Sequence, residues 1–142
     1  MESEITLSPE VLVRRATIGD APAIATILGK AFADYRDLYT DAGFAATTPT
    51  IDQVKTRMAE GPVWIASVDG RAVGTVAAVK QPDAVYVRGM AVSPESRGLK
   101  LGNLLLNAVR EFATAEGFRK LRLSTTPFME RAIRLYERYG FA

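Results

Sequence analysis

One strand–helix–strand run, residues 84–125, constrains this fold more than any other feature. AVYVRGMAV (84–92) is rich in β-branched residues and reads as a strand. From Leu101 the apolar residues recur at helical spacing, with Leu101, Leu104, Leu105, Ala108, Val109, Phe112 and Ala113 on one face. Gly117 suits the helix stop, and KLRLSTT (120–126) reads as the next strand. Two strands joined through a helix lie parallel, by a right-handed crossover. Gly89 inside the first strand marks a bulge or a close backbone approach.

The remaining chain supplies partners for this unit. VLVRRAT (11–17) reads as a first strand. Asp20 is expected to cap the following helix, with Pro22 in its first turn and Ile24, Ile27, Leu28, Ala31, Phe32 and Tyr35 on its buried face. Residues 36–49 show no clear period and read as a loop. Thr50 and Gln53 form a capping-box pattern that opens a short helix with Ile51, Val54 and Met58 on one side. VWIASV and RAVGTVAAV flank Asp69-Gly70, a strong hairpin signal because both residues tolerate positive φ. Thr126 and Pro127 open a last helix whose inner face carries Met129, Ala132, Ile133 and Tyr136. The expected order is β-α-α-β-β-β-α-β-α, in a single domain over 1–142 with a flexible N-terminus at 1–10.

Composition removes several chemistries. The 142 residues include no cysteine and no histidine, which excludes disulfides, thiolate metal sites and Ser-His-Asp or Cys-His catalysis. No metal is therefore expected. With 18 basic and 16 acidic residues the charge is near balance, so nucleic acid is not an expected partner. No apolar run approaches the ~20 residues of a membrane span. The polar start MESEITLSPE does not read as a secretory signal, and a soluble cytoplasmic protein is the expectation.

The segment SPESRGLKLGNLLL (93–106) carries the main functional signal. A helix N-terminus has unpaired backbone N–H groups and a positive dipole end. Gly98 and Gly102 keep side-chain bulk away from it, so a phosphate could reach those groups. The same glycines would equally serve a turn and helix–strand packing. There is no G-x-G-x-x-G fingerprint and no G-K-[ST].

Taken with its surroundings, the segment resembles the GNAT superfamily of acyl-CoA-dependent N-acetyltransferases. The family's phosphate loop reads [RQ]-x-x-G-x-[GA], matched here by Arg97 and Gly102 and preceded by the run from Met90 to Pro94. Its late helix reads A-x-x-x-Y-x-x-x-G-F, matched by Ala132, Tyr136, Gly140 and Phe141. The opening VRRATIGDAPAIATILGKAF is also similar to the family's usual start.

That resemblance implies a mixed α/β fold, a three-layer α/β/α arrangement around a mixed, mostly antiparallel sheet. It implies transfer of an acetyl group from acetyl-CoA to a primary amine by direct attack, without an acyl-enzyme. The alternative is a non-catalytic acyl-CoA-binding sensor or interaction domain. The coenzyme pyrophosphate would rest on Arg97, Gly98, Leu99, Lys100, Leu101, Gly102 and Asn103, and its pantetheine arm on Met90, Ala91 and Val92. A backbone N–H at Met90 or Ala91 would stabilise the tetrahedral oxyanion. Tyr136 would protonate the departing thiolate, although spacing alone makes it an ordinary core aromatic.

Tyr35 and Tyr39, with Asp34, Asp37 and Asp41, lie on the expected acceptor loop. No acidic residue falls between Ala84 and Val92, so the general base stays open. Three features depart from the family pattern. Lys100 stands where a glycine is preferred, Met129 stands where many members carry asparagine, and the chain ends at Ala142 where members continue into one or two further strands. The edge left by such missing C-terminal strands is compatible with a homodimer.

Overall fold

The computed structural model describes residues 2–3, 9–38, 40–96 and 100–123. Five strands form one mixed sheet in the order β1-β2-β3-β4-β5: β1 Val11–Arg15, β2 Val63–Val68, β3 Arg71–Lys80, β4 Val85–Val92 and β5 Leu121–Leu123. The first three junctions are antiparallel, and β4 and β5 are parallel. Helix α4, Leu101–Ala115, makes the crossover between those two, as the strand–helix–strand run requires. Asp69 and Gly70 both adopt positive φ at the β2–β3 turn, which is why that pair marks a hairpin.

Helices cover both faces of the sheet. On one side α4 buries Leu101, Leu105, Leu106, Val109 and Ala113 against Trp64, Val73, Val85 and Val87. On the other, α1 (Ala21–Phe32) and α3 (Ile51–Met58) bury Ile24, Ile27, Leu28, Phe32 and Val54 against Val63, Ile65 and Ala91. Neighbouring strand residues thus enter opposite cores, the result of a two-residue side-chain period. β5 is short, and Arg122 fastens it to the β3–β4 turn. The Arg122 guanidinium donates to Gln81 Oε1 at 2.6 Å and to both oxygens of Asp83 at 3.2 and 3.0 Å.

Four expectations need correction. Residues 36–49 are not a plain loop: they hold the end of a 3₁₀ turn (Ala33–Leu38) and helix α2, Asp41–Thr47. Thr40 opens α2 by accepting the Gly43 N–H at 3.0 Å, and no α2 residue is buried, so no apolar period announces it. Ile51 is 43% exposed, because it sits in the first turn of α3 beyond the cover of α1. On α4 the buried residue is Leu106, whereas Leu104 is 42% exposed beside a groove toward β1.

Asp20 supplies the fourth. It precedes α1 but makes no side-chain bond to that helix. Its carboxylate accepts the Thr17 N–H at 2.7 Å and a bidentate pair from Arg14 at 2.8 and 2.9 Å, closing the 3₁₀ turn Ile18–Asp20 onto β1. The Arg14 hydrogen bond, and then the Thr17 N–H, hold the Asp20 carboxyl well below the usual carboxylate range. A carboxyl lowered in the folded state stabilises above its unfolded value of ~3.9 and loses that effect as pH falls through the folded value. Arg14 is half exposed and the pair is screened, so the Thr17 bond sets the scale at ~1 kcal/mol. Asp20→Asn is therefore expected to be less stable by about that amount in urea titration at pH 7, with the difference shrinking below pH ~4. An undiminished difference at pH 3 would show that ionisation is irrelevant there.

Candidate active site

The site lies where β4 hands over to α4. Two hydrogen bonds establish the local geometry. Val85 donates its N–H to Lys120 O, on the β5 side, at 3.0 Å. Ser93 donates its N–H to Val73 O, on the β3 side, at 2.7 Å. Residues 85 and 93 have the same parity, so in an unbroken strand both amides would face the same neighbour. They do not, because the register slips between Thr75 and Ala77: Thr75 pairs with Ala91, and Ala77 with Arg88. Gly89, at φ +63°, absorbs the extra residue as a β-bulge.

Side chains report the same shift. Val85 and Val87 face the α4 core, yet beyond the bulge Met90 and Val92 face it and Ala91 turns to the α1 core. The backbone groups of Met90 and Val92 consequently point away from β3. β5 pairs only with Val85, Tyr86 and Val87, so along Arg88–Val92 that outer edge of β4 has no strand partner among the described residues. Among the described residues it is a short unpaired row of backbone donors and acceptors, the kind of edge that an extended ligand can join.

Directly after this edge the chain makes a 3₁₀ turn, Pro94–Ser96, with Ser93 and Ser96 both buried. Lys100 then precedes α4 at φ +58° and ψ +27°, in the left-handed region that favours glycine. This conformation gives a physical reason for a glycine preference at its position. The Lys100 side chain is exposed, and its carbonyl accepts the Leu104 N–H at 3.2 Å. Leu101 anchors the helix start in the core, so the first-turn amides stay fixed beside the sheet.

The structure thus brings together Met90, Ala91, Val92, Lys100, Leu101, Gly102 and Asn103. Ala91 differs from its neighbours, since its pairing with Thr75 turns its amide toward β3. Arg97, Gly98, Leu99, Tyr39 and Tyr136 lie outside the described residues, as do the last strand beyond Leu123 and the last helix. Tyr35 falls in the 3₁₀ turn at Ala33–Leu38, with its side chain outside the described residues. Asp41 pairs with Arg36 at 2.5 Å.

Sequence reasoning passes over one group beside the bulge. Arg88 Nη1 donates to Glu60 Oε2 at 2.9 Å, at the end of α3. Arg57 Nη2 donates to Ala46 O of α2 at 3.0 Å. Burial, with the Arg88 charge beside it, pushes the Arg57 guanidinium below its usual value, and Glu60 partly offsets this. An arginine in a strand and another on a helix read in sequence as solvated residues, and nothing in their spacing links them.

The open edge and the fixed helix start fit an extended, amide-bearing ligand that ends in an anion. Strand-like pairing serves the amides, and the helix N-terminus serves the charge. The groove between β1 and α4, about 600 Å³ and lined by Arg15, Trp64, Leu104 and Phe112, is separate from this edge.

Comparison with known proteins identifies the family. Residues 27–141 match the model of the Acetyltransferase (GNAT) family. The chain is 31% identical over 136 residues to the uncharacterized N-acetyltransferase YjgM of Escherichia coli K12, covering 92% of this chain and 81% of that protein. It is 37% identical over 81 residues to the probable N-acetyltransferase camello of Xenopus tropicalis, covering 55% of this chain and 37% of that protein. The PaiA N-acetyltransferase from Thermoplasma acidophilum, solved in complex with coenzyme A, superposes with a TM-score of 0.83 at 14% identity, over 94% of this chain and 90% of that one. An aminoglycoside N-acetyltransferase solved with CoA gives 0.75 at 16% identity, over 98% and 92% of the two chains.

Proposed function

Because the chain belongs to the GNAT family of acetyltransferases, we propose that it moves an acetyl group from acetyl-CoA to a primary amine by direct attack. The observation that carries this reading is the phase shift in β4. It turns the Met90 and Val92 backbone toward the open edge, immediately before the helix whose N-terminus suits a pyrophosphate. The pantetheine amides would pair with that edge. The phosphates would meet the segment from Arg97 to Asn103.

In the proposed reaction the amine nitrogen bonds to the thioester carbonyl carbon. The resulting oxyanion accepts from the Met90 N–H, which the bulge turns outward, while the Ala91 amide is engaged toward Thr75. Collapse breaks the C–S bond, the amine proton passes to solvent, and Tyr136 protonates the thiolate. A thiol of pKa ~8.5 is already a fair leaving group, so the acid has little to contribute.

Calorimetric titration with acetyl-CoA is the first test, followed by thiol release in the presence of amines. Micromolar binding with amine-dependent thiol release is expected. Tyr136→Phe is expected to lower kcat by about 100-fold, the lower end of the range for a general acid. Binding without thiol release across a broad amine panel would instead identify a sensor. No binding by a folded chain would end the acetyl-transfer reading.

A further inference from the structure

On the α1/α3 face of β4 the described residues leave one positive charge without a counter-charge. Arg88 is the last residue before the Gly89 bulge, and its side chain lies on the face covered by α1 and α3. Its Nη1 is committed to Glu60, but its Nη2 is buried and has no hydrogen-bond partner among the described residues. Buried donors are nearly always paired, because leaving one unmade forfeits the hydration it had in water. A guanidinium is also the side chain best shaped to hold a second planar acceptor beside the first.

Arg57 adds to this. The Arg88 charge opposes its own and the Glu60 carboxylate, bonded to Arg88, offsets only part of that. Two guanidinium groups against one carboxylate leave a single positive charge. Arg57 is tied to the Ala46 carbonyl, which fixes its position without neutralising it. Arg88 stands two residues from Met90, its Cα at most ~7.6 Å along the backbone from the residue whose amide is assigned to the oxyanion.

We propose that Arg57 and Arg88 recognise a carboxylate on the acceptor, so that the acceptor class is an amine bearing a free carboxylate: an amino acid or a short peptide. This rests on the acetyl-transfer reading above. A carboxylate matches the fork of Arg88 and the single surplus charge, whereas a phosphate dianion would overcompensate it. Glu60 then acts as a stand-in that holds Arg88 in place and competes with the acceptor for its charge.

The test compares thiol release with glycylglycine, L-alanine, L-aspartate and L-glutamate against glycylglycinamide, alaninamide, putrescine and phosphoethanolamine, after acetyl-CoA binding is measured by calorimetry. Free carboxylates are expected to be preferred by tenfold or more in kcat/KM. Arg88→Gln is expected to raise KM for the carboxylate amines about 10–100-fold, the range for a lost hydrogen bond to a charged group, with the acetyl-CoA Kd within about twofold. Glu60→Gln is expected to act oppositely, lowering that KM several-fold, since it removes the negative charge that competes with the acceptor at Arg88 Nη1.

A structural clamp would behave differently: both substitutions would weaken the protein, and carboxylate and amide acceptors would suffer alike. Equal use of amides, preference for putrescine or phosphoethanolamine, or a loss in both variants would overturn the proposal. So would the absence of turnover with every probe in a chain that binds acetyl-CoA. Failure to bind acetyl-CoA at all would remove the acetyl-transfer reading itself.

Discussion

Gly61→Ala is expected to lower stability by about 3 kcal/mol, at the upper end for overpacking, and the melting temperature by about 10 °C. Gly61 lies in the turn from α3 into β2. An added Cβ would stand 2.1 Å from the Ala78 carbonyl oxygen and 3.2 Å from its carbon. Both neighbours are backbone atoms of Ala78 in β3, and no rotamer change relieves the clash. The turn cannot retreat freely either, because Pro62 O accepts the Ala78 N–H at 3.0 Å and fixes it against the same residue. Moving away would strain that bond and disturb the adjoining Glu60–Arg88 pair. Urea and thermal unfolding of the variant measure the effect, and a shift under 2 °C would show that the turn yields.

Gly89→Val is expected to reduce kcat by about 10²–10³-fold, the range for losing one oxyanion donor, with a stability loss of only ~1–2 kcal/mol. The space is not limiting: the nearest heavy atom to an added Cβ is Leu28 Cδ2 at 3.9 Å. The difficulty is conformational, since a β-branched residue strongly disfavours φ +63°. Relaxing that dihedral would swing the next peptide and redirect the Met90 N–H. Gly70 provides the control. It has φ +82°, nothing near an added Cβ, and a position at the far β2–β3 turn. Gly70→Val should lose comparable stability while keeping kcat. Equal kinetic losses in both variants would mean that Gly89 acts through general destabilisation.

The sequence discloses elements wherever one local rule decides the outcome. Thr50 and Gln53 do form the reciprocal cap, with bonds of 3.2 and 2.9 Å, because both partners lie within one turn. Gly117 ends α4 at φ +85°, a conformation its residue type permits at little cost. Where tertiary choices decide, the pattern is silent. Leu104, Leu105 and Leu106 are identical in hydropathy, and only the lie of α4 on the sheet selects which two are buried. Asp20 satisfies the composition of a cap, yet an arginine six residues earlier draws it away. α2 buries nothing, so periodicity has nothing to register.

The candidate site divides in the same way. The edge of β4 was legible because glycine inside a strand announces a bulge, and the helix start was legible because the apolar helical period begins at Leu101 with a glycine in its first turn. Which amide faces outward was not, since that depends on the register of β3 against β4. Glu60 and Arg88 meet only through the fold, 28 positions apart in the chain.

Trp64, the chain's one tryptophan, gives the molecule an internal reporter. Its ring is 7% exposed, meets Phe112 of α4 edge-on with centroids 5.7 Å apart, and lies under the Arg15 guanidinium at 5.1 Å. All of these contacts belong to the α4 layer, whereas the arginine pair sits behind the opposite face of the sheet. Intrinsic fluorescence therefore follows the docking of α4 on the sheet, and an acceptor bound at Arg57 and Arg88 should leave the emission nearly silent. A single wavelength can thus separate loss of folding from loss of recognition in every variant considered above.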